Sequence, residues 1–163
     1  LALLDAQVAA LSHAAMGYLV SGDPLARWGT TSPTAAPSQM YRCADGPVML
    51  VVGNNPQFAK LAAAMGLDGL AQDPRFATNG ERIRHRSELN ALLEPVFASR
   101  SRQYWIDVFA AGGIPCGPVN DLPQVFADPQ VQARNMVVHL PHPQRQAVRR
   151  QDGRRTPVLE WQS

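Results

Sequence analysis

The sequence predicts an α+β fold, in which a β-hairpin or small antiparallel sheet packs against several helices and one long helix precedes them. Two short β-rich runs flank Asp45-Gly46, a dipeptide that favours hairpin turns. Three stretches with the apolar spacing of helices follow this hairpin without an intervening strand. Strands and helices are therefore segregated along the chain, which argues against a parallel α/β sheet.

The first element is predicted to be a single helix over residues 2–20. Apolar residues recur there at spacings of three and four, as on one face of an amphipathic helix. They are Leu4, Val8, Leu11, Ala15, Tyr18 and Leu19. Residues 23–38 are rich in Pro, Ser and Thr and have no hydrophobic period, which predicts an ordered linking loop. Trp28 in this loop is expected to pack against another element.

The hairpin is predicted from residues 39–43 and 47–52. We expect a type I′ turn at Asp45-Gly46, because both residues tolerate a positive φ. The second run is almost entirely apolar, so we expect that strand to be buried on both faces. Asn54 or Asn55 is expected to cap the helix that follows, with Pro56 in its first turn.

Three helices are predicted after the hairpin: residues 56–66, about 80–99, and a third that begins at a Ser101 cap and ends at Gly112-Gly113. Their inward-facing side chains are expected to be Phe58, Leu61, Ala62, Met65, Ile83, Leu89, Leu92, Leu93, Val96, Tyr104, Trp105, Val108 and Phe109. A basic group is interpreted as an exposed face of the second helix. It comprises Arg82, Arg84, His85 and Arg86.

The composition excludes several function classes. The chain of 163 residues is long enough for one compact domain, and no apolar run approaches the ~18 residues that a membrane span needs. Five arginines lie within residues 144–163, and the remaining residues carry 10 basic against 11 acidic side chains. This basic tail has no interleaved aromatic residues. We therefore expect neither a nucleic-acid partner nor a membrane partner.

The beginning of the chain and the two cysteines bear on the compartment. Residues 1–22 carry Asp5 and His13 and lack a basic segment, so they do not resemble a signal peptide. Cys43 and Cys116 are far apart and lack CxxC spacing, and we expect both to be reduced. These features favour a cytoplasmic protein. Because the chain also lacks an initial methionine, we expect it to begin within a longer gene product.

No constellation in the sequence supports catalysis by itself. Cys116 follows a predicted helix C-terminus and lies between Pro115 and Pro118, which favours a structural role over a reactive thiol. The histidines lack the spacing of a helical zinc site; a chelate by His139 and His142 is the weak alternative, and we expect no metal. Phosphate-binding glycine loops and the nucleophile elbow do not occur in the sequence. Turns or helix caps account for Asp45, Asp73, Asp121 and Asp128.

Three segments in a fixed order carry a resemblance to a known family. They are YRCADGPVMLVVGNNPQFAKLAAAMG (41–66), DPRFATNGERIRHRSEL (73–89) and GIPCGPVNDLPQVFADPQVQARNM (113–136). Together they resemble the family III CoA-transferases, the CaiB/BaiF group. That group includes formyl-CoA transferase, carnitine CoA-transferase and alpha-methylacyl-CoA racemase.

The resemblance implies a domain organisation. Members of the family have a large Rossmann-like domain and a small α+β domain joined by two linkers, and two such chains interlock as a homodimer. By this resemblance, residues 1–22 form the last helix of the large domain and residues 23–38 the interdomain linker. Residues 39–118 form the small α+β domain. Residues 119–143 form a returning linker with a short helix and a strand, and we expect the tail, 144–163, to be poorly ordered.

The resemblance also implies an activity. In transferases of the group an aspartate attacks the acyl-CoA thioester, and a carboxylic acid then receives the CoA through an aspartyl-CoA intermediate. The matching aspartate would lie upstream of Leu1, so Asp5 is not the nucleophile and the chain alone is expected to be inactive. A CoA ester would be the substrate of the full-length enzyme, and no tightly bound cofactor is expected. The alternatives are a stand-alone interaction or dimerisation module and the matching part of a racemase.

Two segments are the candidate site and signature residues. After Gly29 many relatives carry Asn-x-His-Pro in a loop close to the active site, whereas this chain has Thr30, Thr31 and Ser32 followed by proline. We therefore predict a substrate-proximal loop at residues 29–32, and this departure leaves the identity of the substrate open. The structural signatures are Asp45 and Gly46 of the hairpin and the turn formed by Pro115, Cys116, Gly117 and Pro118, in which Cys116 is expected to be a small buried side chain.

Overall fold

A computed structural model of the chain describes residues 2–137. Its elements in chain order are α1 (Leu3–Ala10), α2 (Ser12–Ser21), β1 (Ser38–Cys43), β2 (Gly46–Val51), α3 (Asn55–Ala64), α4 (Asn79–Arg84), α5 (Arg86–Ala98), α6 (Arg102–Gly112), β3 (Cys116–Pro118), α7 (Leu122–Ala127) and α8 (Pro129–Ala133). The predicted α+β class is confirmed. The chain divides into two compact units between Pro118 and Val119.

Several predictions fall outside the described residues. The predicted strand over residues 136–143 lies almost wholly beyond them, as do the tail 144–163 and the pair His139 and His142.

The predicted single N-terminal helix is wrong. The chain forms α1 and α2, whose axes are bent by 75° at Leu11. Ser12 has a φ of 48°, and a residue with positive φ does not continue a right-handed helix in the same direction. Neither helix has a buried residue. No single helix among the described residues is long and apolar enough to cross a membrane, although α1 and α2 together have the required length and composition.

The three strands form one antiparallel sheet in the order β1-β2-β3. In β1 and β2, Tyr41 pairs with Val48 and Cys43 with Gly46. Burial alternates along β2, where Val48 and Leu50 are fully buried but Val51 is 43% exposed. The prediction that β2 is buried on both faces is therefore wrong, since the side chains that alternate with Val48 and Leu50 are half-buried or exposed.

The hairpin turn differs from the predicted type. Cys43 and Gly46 are paired, so the turn residues are Ala44 and Asp45. Among the described residues that are not glycine, only Ser12 and Asn135 have positive φ, so Asp45 does not adopt the type I′ conformation. Gly46 carries the positive φ, at 145°. Asp45 instead fixes the hairpin, because its Oδ1 atom accepts a hydrogen bond from the Arg102 backbone N–H at 2.7 Å.

The core lies between the sheet and α3, α5 and α6. An aromatic cluster forms its centre, with the rings of Tyr41 and Phe97 stacked at 4.4 Å and those of Trp105 and Phe109 at 5.3 Å. Most of the predicted inward-facing residues are buried or half-buried. Leu92 and Tyr104 are exceptions, being 41% and 43% exposed.

The predicted helix over residues 80–99 is two helices. The chain leaves the helical conformation at His85, with φ −99° and ψ 27°, between α4 and α5. Beyond Pro118, Asp121 caps α7 and Asp128 caps α8 through their side-chain oxygens, as predicted. Asn54 caps α3 and Ser101 caps α6, also as predicted.

Candidate functional site

The predicted substrate-proximal loop forms a tight turn. The Thr31 backbone N–H donates to the Trp28 carbonyl at 3.0 Å, which closes a four-residue turn. Gly29 has a φ of 60°, a conformation that glycine adopts without steric cost. Gly29 and Thr30 are exposed, whereas Thr31 and Ser32 are half-buried. The exposed side of the turn therefore offers backbone and hydroxyl groups to a ligand.

The β1 strand holds the loop from one side. The Ser32 N–H donates to the Ser38 carbonyl at 2.8 Å. The Thr30 hydroxyl accepts a long hydrogen bond of 3.4 Å from the Met40 N–H, and the Thr31 hydroxyl donates to Gln39 Oε1 at 3.4 Å. Two of the three candidate hydroxyls are thus oriented by the first residues of the sheet.

Four polar side chains of α4 and α5, here called the polar ladder, hold the loop from the other side. They are Asn79, Arg82, Arg86 and Asn90, which follow one another at spacings of three and four on both sides of the break at His85. Asn79 binds both Thr34 and Ala36: its Oδ1 accepts from the Ala36 N–H at 3.1 Å and its Nδ2 donates to the Thr34 carbonyl at 2.9 Å. Asn90 Nδ2 donates to Gln39 Oε1 at 3.2 Å. The polar ladder therefore holds the segment from Ser32 to Gln39, which joins the turn to β1.

Arg82 is the most buried member of the polar ladder, with no exposed surface. It donates to the Ala36 carbonyl at 2.6 Å, the Phe76 carbonyl at 2.9 Å and Asn55 Oδ1 at 3.0 Å. Its guanidinium also lies 4.4 Å from the centre of the Phe58 ring. Burial lowers the pKa of Arg82. The interpretation of Arg82 as part of an exposed basic face is wrong, since this side chain is the polar centre of the core.

Arg86 lies beneath the turn itself. Its Nη2 atom donates to the Ser32 carbonyl at 2.8 Å, and its guanidinium carbon lies 5.9 Å from the centre of the Trp28 ring. Its Nη1 atom is buried and has no hydrogen-bond partner among the described residues. A buried donor left unpaired costs about 1–3 kcal/mol. Trp28 was expected to pack against another element. Its ring contacts Arg86 of α5 but stays 44% exposed.

Tyr41 ends the hydrogen-bonded chain that begins at Thr31. Its hydroxyl donates to Asn90 Oδ1 at 2.8 Å, and Asn90 continues to Gln39 and the loop. Burial, and to a lesser extent the charge of Glu94, hold the pKa of Tyr41 above its usual range. Tyr41 therefore remains protonated and acts as a fixed donor rather than as an acid or base.

The GIPCGPV segment is a strand as well as a turn. Cys116 pairs with Leu50, Gly117 with Met49 and Pro118 with Val48, and the Pro115 carbonyl accepts from the Val51 N–H at 3.0 Å. Cys116 is only half-buried, which corrects the expectation of a buried side chain in a turn. Burial raises the pKa of its thiol to about 11. Both cysteines are free, and the structural role predicted for Cys116 agrees with this raised pKa.

The arrangement can bind and orient a substrate, but the loop and the polar ladder contain no nucleophilic carboxylate or thiol. Among residues 2–137 no three His, Cys, Asp or Glu side chains lie close enough to hold a metal ion. The sequence interpretation missed the polar ladder. Its members lie at helical spacings from the inward-facing Leu89 and Leu93, and this spacing is the one local signal that they point inward; it does not identify their hydrogen-bond partners.

Comparison with protein families gives a match to the model of CoA-transferase family III over residues 1–158. The chain belongs to this family. The resemblance inferred from the three motifs is confirmed.

Curated relatives and a solved structure agree with this assignment. The family III chain is 35% identical to a succinate–glutarate CoA-transferase of Agrobacterium fabrum over 163 residues, which are 100% of this chain and 40% of that protein. It is 36% identical to human succinyl-CoA:glutarate CoA-transferase over 86% of this chain and 32% of that protein. A CAIB/BAIF family protein from Brucella suis superposes with a TM-score of 0.76 at 35% identity, over 99% of this chain and 43% of that one. The chain thus spans less than half the length of these relatives.

Proposed function

We propose that this chain is the C-terminal, small-domain portion of an acyl-CoA transferase. The anchored turn at Gly29–Ser32 carries this proposal, because it presents oriented hydroxyl groups without a nucleophile of its own. In the proposed reaction an aspartate outside this chain attacks the thioester and displaces the CoA thiolate, which leaves a mixed anhydride of the aspartate and the donor acid. The thiolate then attacks the aspartyl carbonyl, which releases the donor acid and forms an aspartyl-CoA thioester. The acceptor acid takes the CoA by the reverse of these two steps, which restores the aspartate. The turn orients the CoA ester while the aspartate carboxylate attacks the thioester carbonyl carbon.

The names of the relatives support a proposal for the substrate class. Both curated relatives described above exchange CoA between short dicarboxylates, as their names state. We therefore assign a succinyl-CoA-type donor and a short dicarboxylic acid acceptor to the full-length protein. The Thr30 hydroxyl accepts from the Met40 N–H and keeps its own proton, so it can donate one uncharged hydrogen bond to the thioester carbonyl. The Thr31 hydroxyl donates its proton to Gln39 Oε1 and therefore orients the turn.

The experiment compares the full-length protein with this chain alone, using succinyl-CoA and glutarate. CoA transfer by the full-length protein, and none by the chain alone, is the expected result. Transfer by the chain alone would contradict the placement of the nucleophile outside it. A full-length triple variant, Thr30→Ala with Thr31→Ala and Ser32→Ala, tests the turn.

The triple variant is expected to raise the KM for succinyl-CoA by about tenfold. A change of this size corresponds to the loss of one to two hydrogen bonds to the substrate. The matched control is Ser87→Ala, which removes a hydroxyl from the exposed side of α5. An unchanged KM in the triple variant would place the CoA ester elsewhere.

A second candidate is a stand-alone interaction module. The observation that favours it is the apolar surface of α1 and α2, where Leu3, Leu19 and Val20 are 86%, 72% and 82% exposed. Residues of both helices, together with Pro24 and Leu25, line an apolar cleft of ≈ 440 Å³. Surfaces of this kind mark contacts with other protein. Under both candidates we propose that the protein forms a homodimer, and sedimentation velocity of the full-length protein tests it.

A calorimetric titration of the chain alone with free CoA and acetyl-CoA separates the two candidates. Measurable affinity supports the transferase fragment, since the turn then contributes binding energy by itself. The interaction module predicts no heat of binding together with self-association of the chain.

A further inference from the structure

Arg86 contacts the turn on both of its flanks. Its guanidinium meets the ring of Trp28, where the turn begins, and the carbonyl of Ser32, where the turn ends. Gly29 and Thr30, the exposed residues, lie between these two contacts. A planar guanidinium is suited to such a double contact, because it donates in its plane and stacks on its face.

Other members of the polar ladder bind farther from the tip of the turn. Asn79 and Arg82 hold Thr34 and Ala36, and Asn90 holds Gln39 at the start of the sheet. These contacts fix where the loop joins the domain. The contacts of Arg86 fix the orientation of the exposed residues themselves.

A contribution to fold stability does not explain why an arginine lies at position 86. The side chain is half-buried, and burial lowers its pKa. It forms no salt bridge with the described residues, and its buried Nη1 donor has no partner among them. A buried donor without a partner destabilises the folded state, and proteins keep such groups where function requires them.

We propose that Arg86 is a positioning residue for the CoA ester, which it aligns by holding Trp28 and Ser32 on either side of the exposed turn. This inference rests on the proposed function, in which that turn contacts the substrate. Arg86 does not touch the reacting atoms. Its effect is transmitted through the backbone of residues 29–31, so its loss misplaces the turn without removing any substrate contact.

The test uses the full-length protein with succinyl-CoA and glutarate. Arg86→Gln is expected to raise the KM for succinyl-CoA about tenfold, because small misplacements of binding groups weaken substrate alignment. Arg86→Lys keeps a donor for the Ser32 carbonyl but replaces the planar guanidinium that contacts the Trp28 ring, so we expect it to recover part of the affinity. Trp28→Leu and the double variant with Arg86→Gln complete a cycle. The double variant is expected to be no worse than the poorer single variant, since both changes release the same turn.

Two controls separate positioning from general destabilisation. Leu93→Val removes one methylene group from the core and lowers Tm without touching the turn. Arg84→Gln removes a charge from a side chain that is 72% exposed and pairs with Glu81. Both are expected to leave the KM unchanged.

The outcomes distinguish the inference from the proposed function. If the triple variant of the turn raises the KM but Arg86→Gln changes it no more than Leu93→Val does, the positioning role is wrong and the proposed function stands. If neither the triple variant nor Arg86→Gln changes the KM, both are overturned. Raised KM values in both, with partial recovery by lysine, support the inference.

Discussion

The Nε atom of Arg82 donates a hydrogen bond of 2.6 Å to the carbonyl of Ala36, a residue 46 positions earlier in the chain. The same guanidinium holds the Phe76 carbonyl and the Asn55 side chain. One fully buried cation therefore joins the loop before the sheet, the segment before α4 and the start of α3. Three oxygen acceptors and the face of the Phe58 ring replace the water that the charge loses on burial.

Arg82→Met should lower the free energy of unfolding by about 3 kcal/mol. The change removes three hydrogen bonds and leaves the carbonyls of Ala36 and Phe76 without their donor. Urea denaturation of the purified chain measures the effect. Arg84→Gln, on the exposed side of α4, is the control and should change stability by less than about 0.5 kcal/mol. Equal effects of the two substitutions would contradict the central role of Arg82.

Gly46→Ala should destabilise the chain by about 1–3 kcal/mol. Gly46 has a φ of 145°, and an added Cβ would lie 3.1 Å from Arg102 Nε. Gly80→Ala is the matched substitution in α4, where φ is not positive and the nearest atom is 4.0 Å away. It should stabilise by about 0.5–1 kcal/mol, because alanine is the better helix former. Thermal unfolding of both variants measures the two changes in stability. The prediction requires that Gly46→Ala lowers stability and that Gly80→Ala raises it.

Cys116 should react slowly with iodoacetamide. With a pKa raised to about 11, only about 0.1% of the thiol is ionised at pH 8. We expect labelling in the folded chain to be at least tenfold slower than in urea. A Cys43→Ala background isolates this thiol, and mass spectrometry follows the modification. Labelling at the unfolded rate would instead identify Cys116 as a reactive cysteine.

The ion pairs of Arg75 should make stability depend on acidic pH. Hydrogen bonds from Arg75 hold the pKa of Asp73 below its usual range, and those from His85 and then Arg75 do the same for Glu88. Carboxyl groups with lowered pKa stabilise the folded state above their unfolded pKa of about 4, and that contribution is lost as pH falls through the lowered values.

Arg75→Gln should therefore reduce stability most at pH 6, and the difference from the parent chain should shrink as the pH falls below about 4. Urea unfolding between pH 2.5 and 6 measures both curves. Arg134→Gln, an exposed residue after α8, serves as the control. A difference that stays constant with pH would mean that the ion pairs do not carry the effect.

The sequence by itself determined the elements that depend on local chemistry. Ser101, Asp121 and Asp128 were predicted as helix caps, and Asn54 as one of two candidates beside Asn55, because a short side-chain oxygen before a helix satisfies its free N–H groups. The hairpin followed from the two β-rich runs beside Asp45-Gly46, although its turn lies at Ala44 and Asp45. The α+β class followed from the helical spacing of the segments after it. The family followed from three ordered motifs.

Tertiary structure decided the features that depend on distant partners. The breaks at Ser12 and His85 leave the apolar spacing of the flanking helices unchanged, so periodicity did not show them. Because arginine is charged, the sequence interpretation placed Arg82 and Arg86 on a solvent-exposed face of the helix. Their burial depends on the carbonyls of Ala36, Phe76 and Ser32, which reach them only when the loop folds back over α4 and α5. A polar side chain is buried when the fold brings acceptors to it, and no local pattern in the sequence specifies where those acceptors lie.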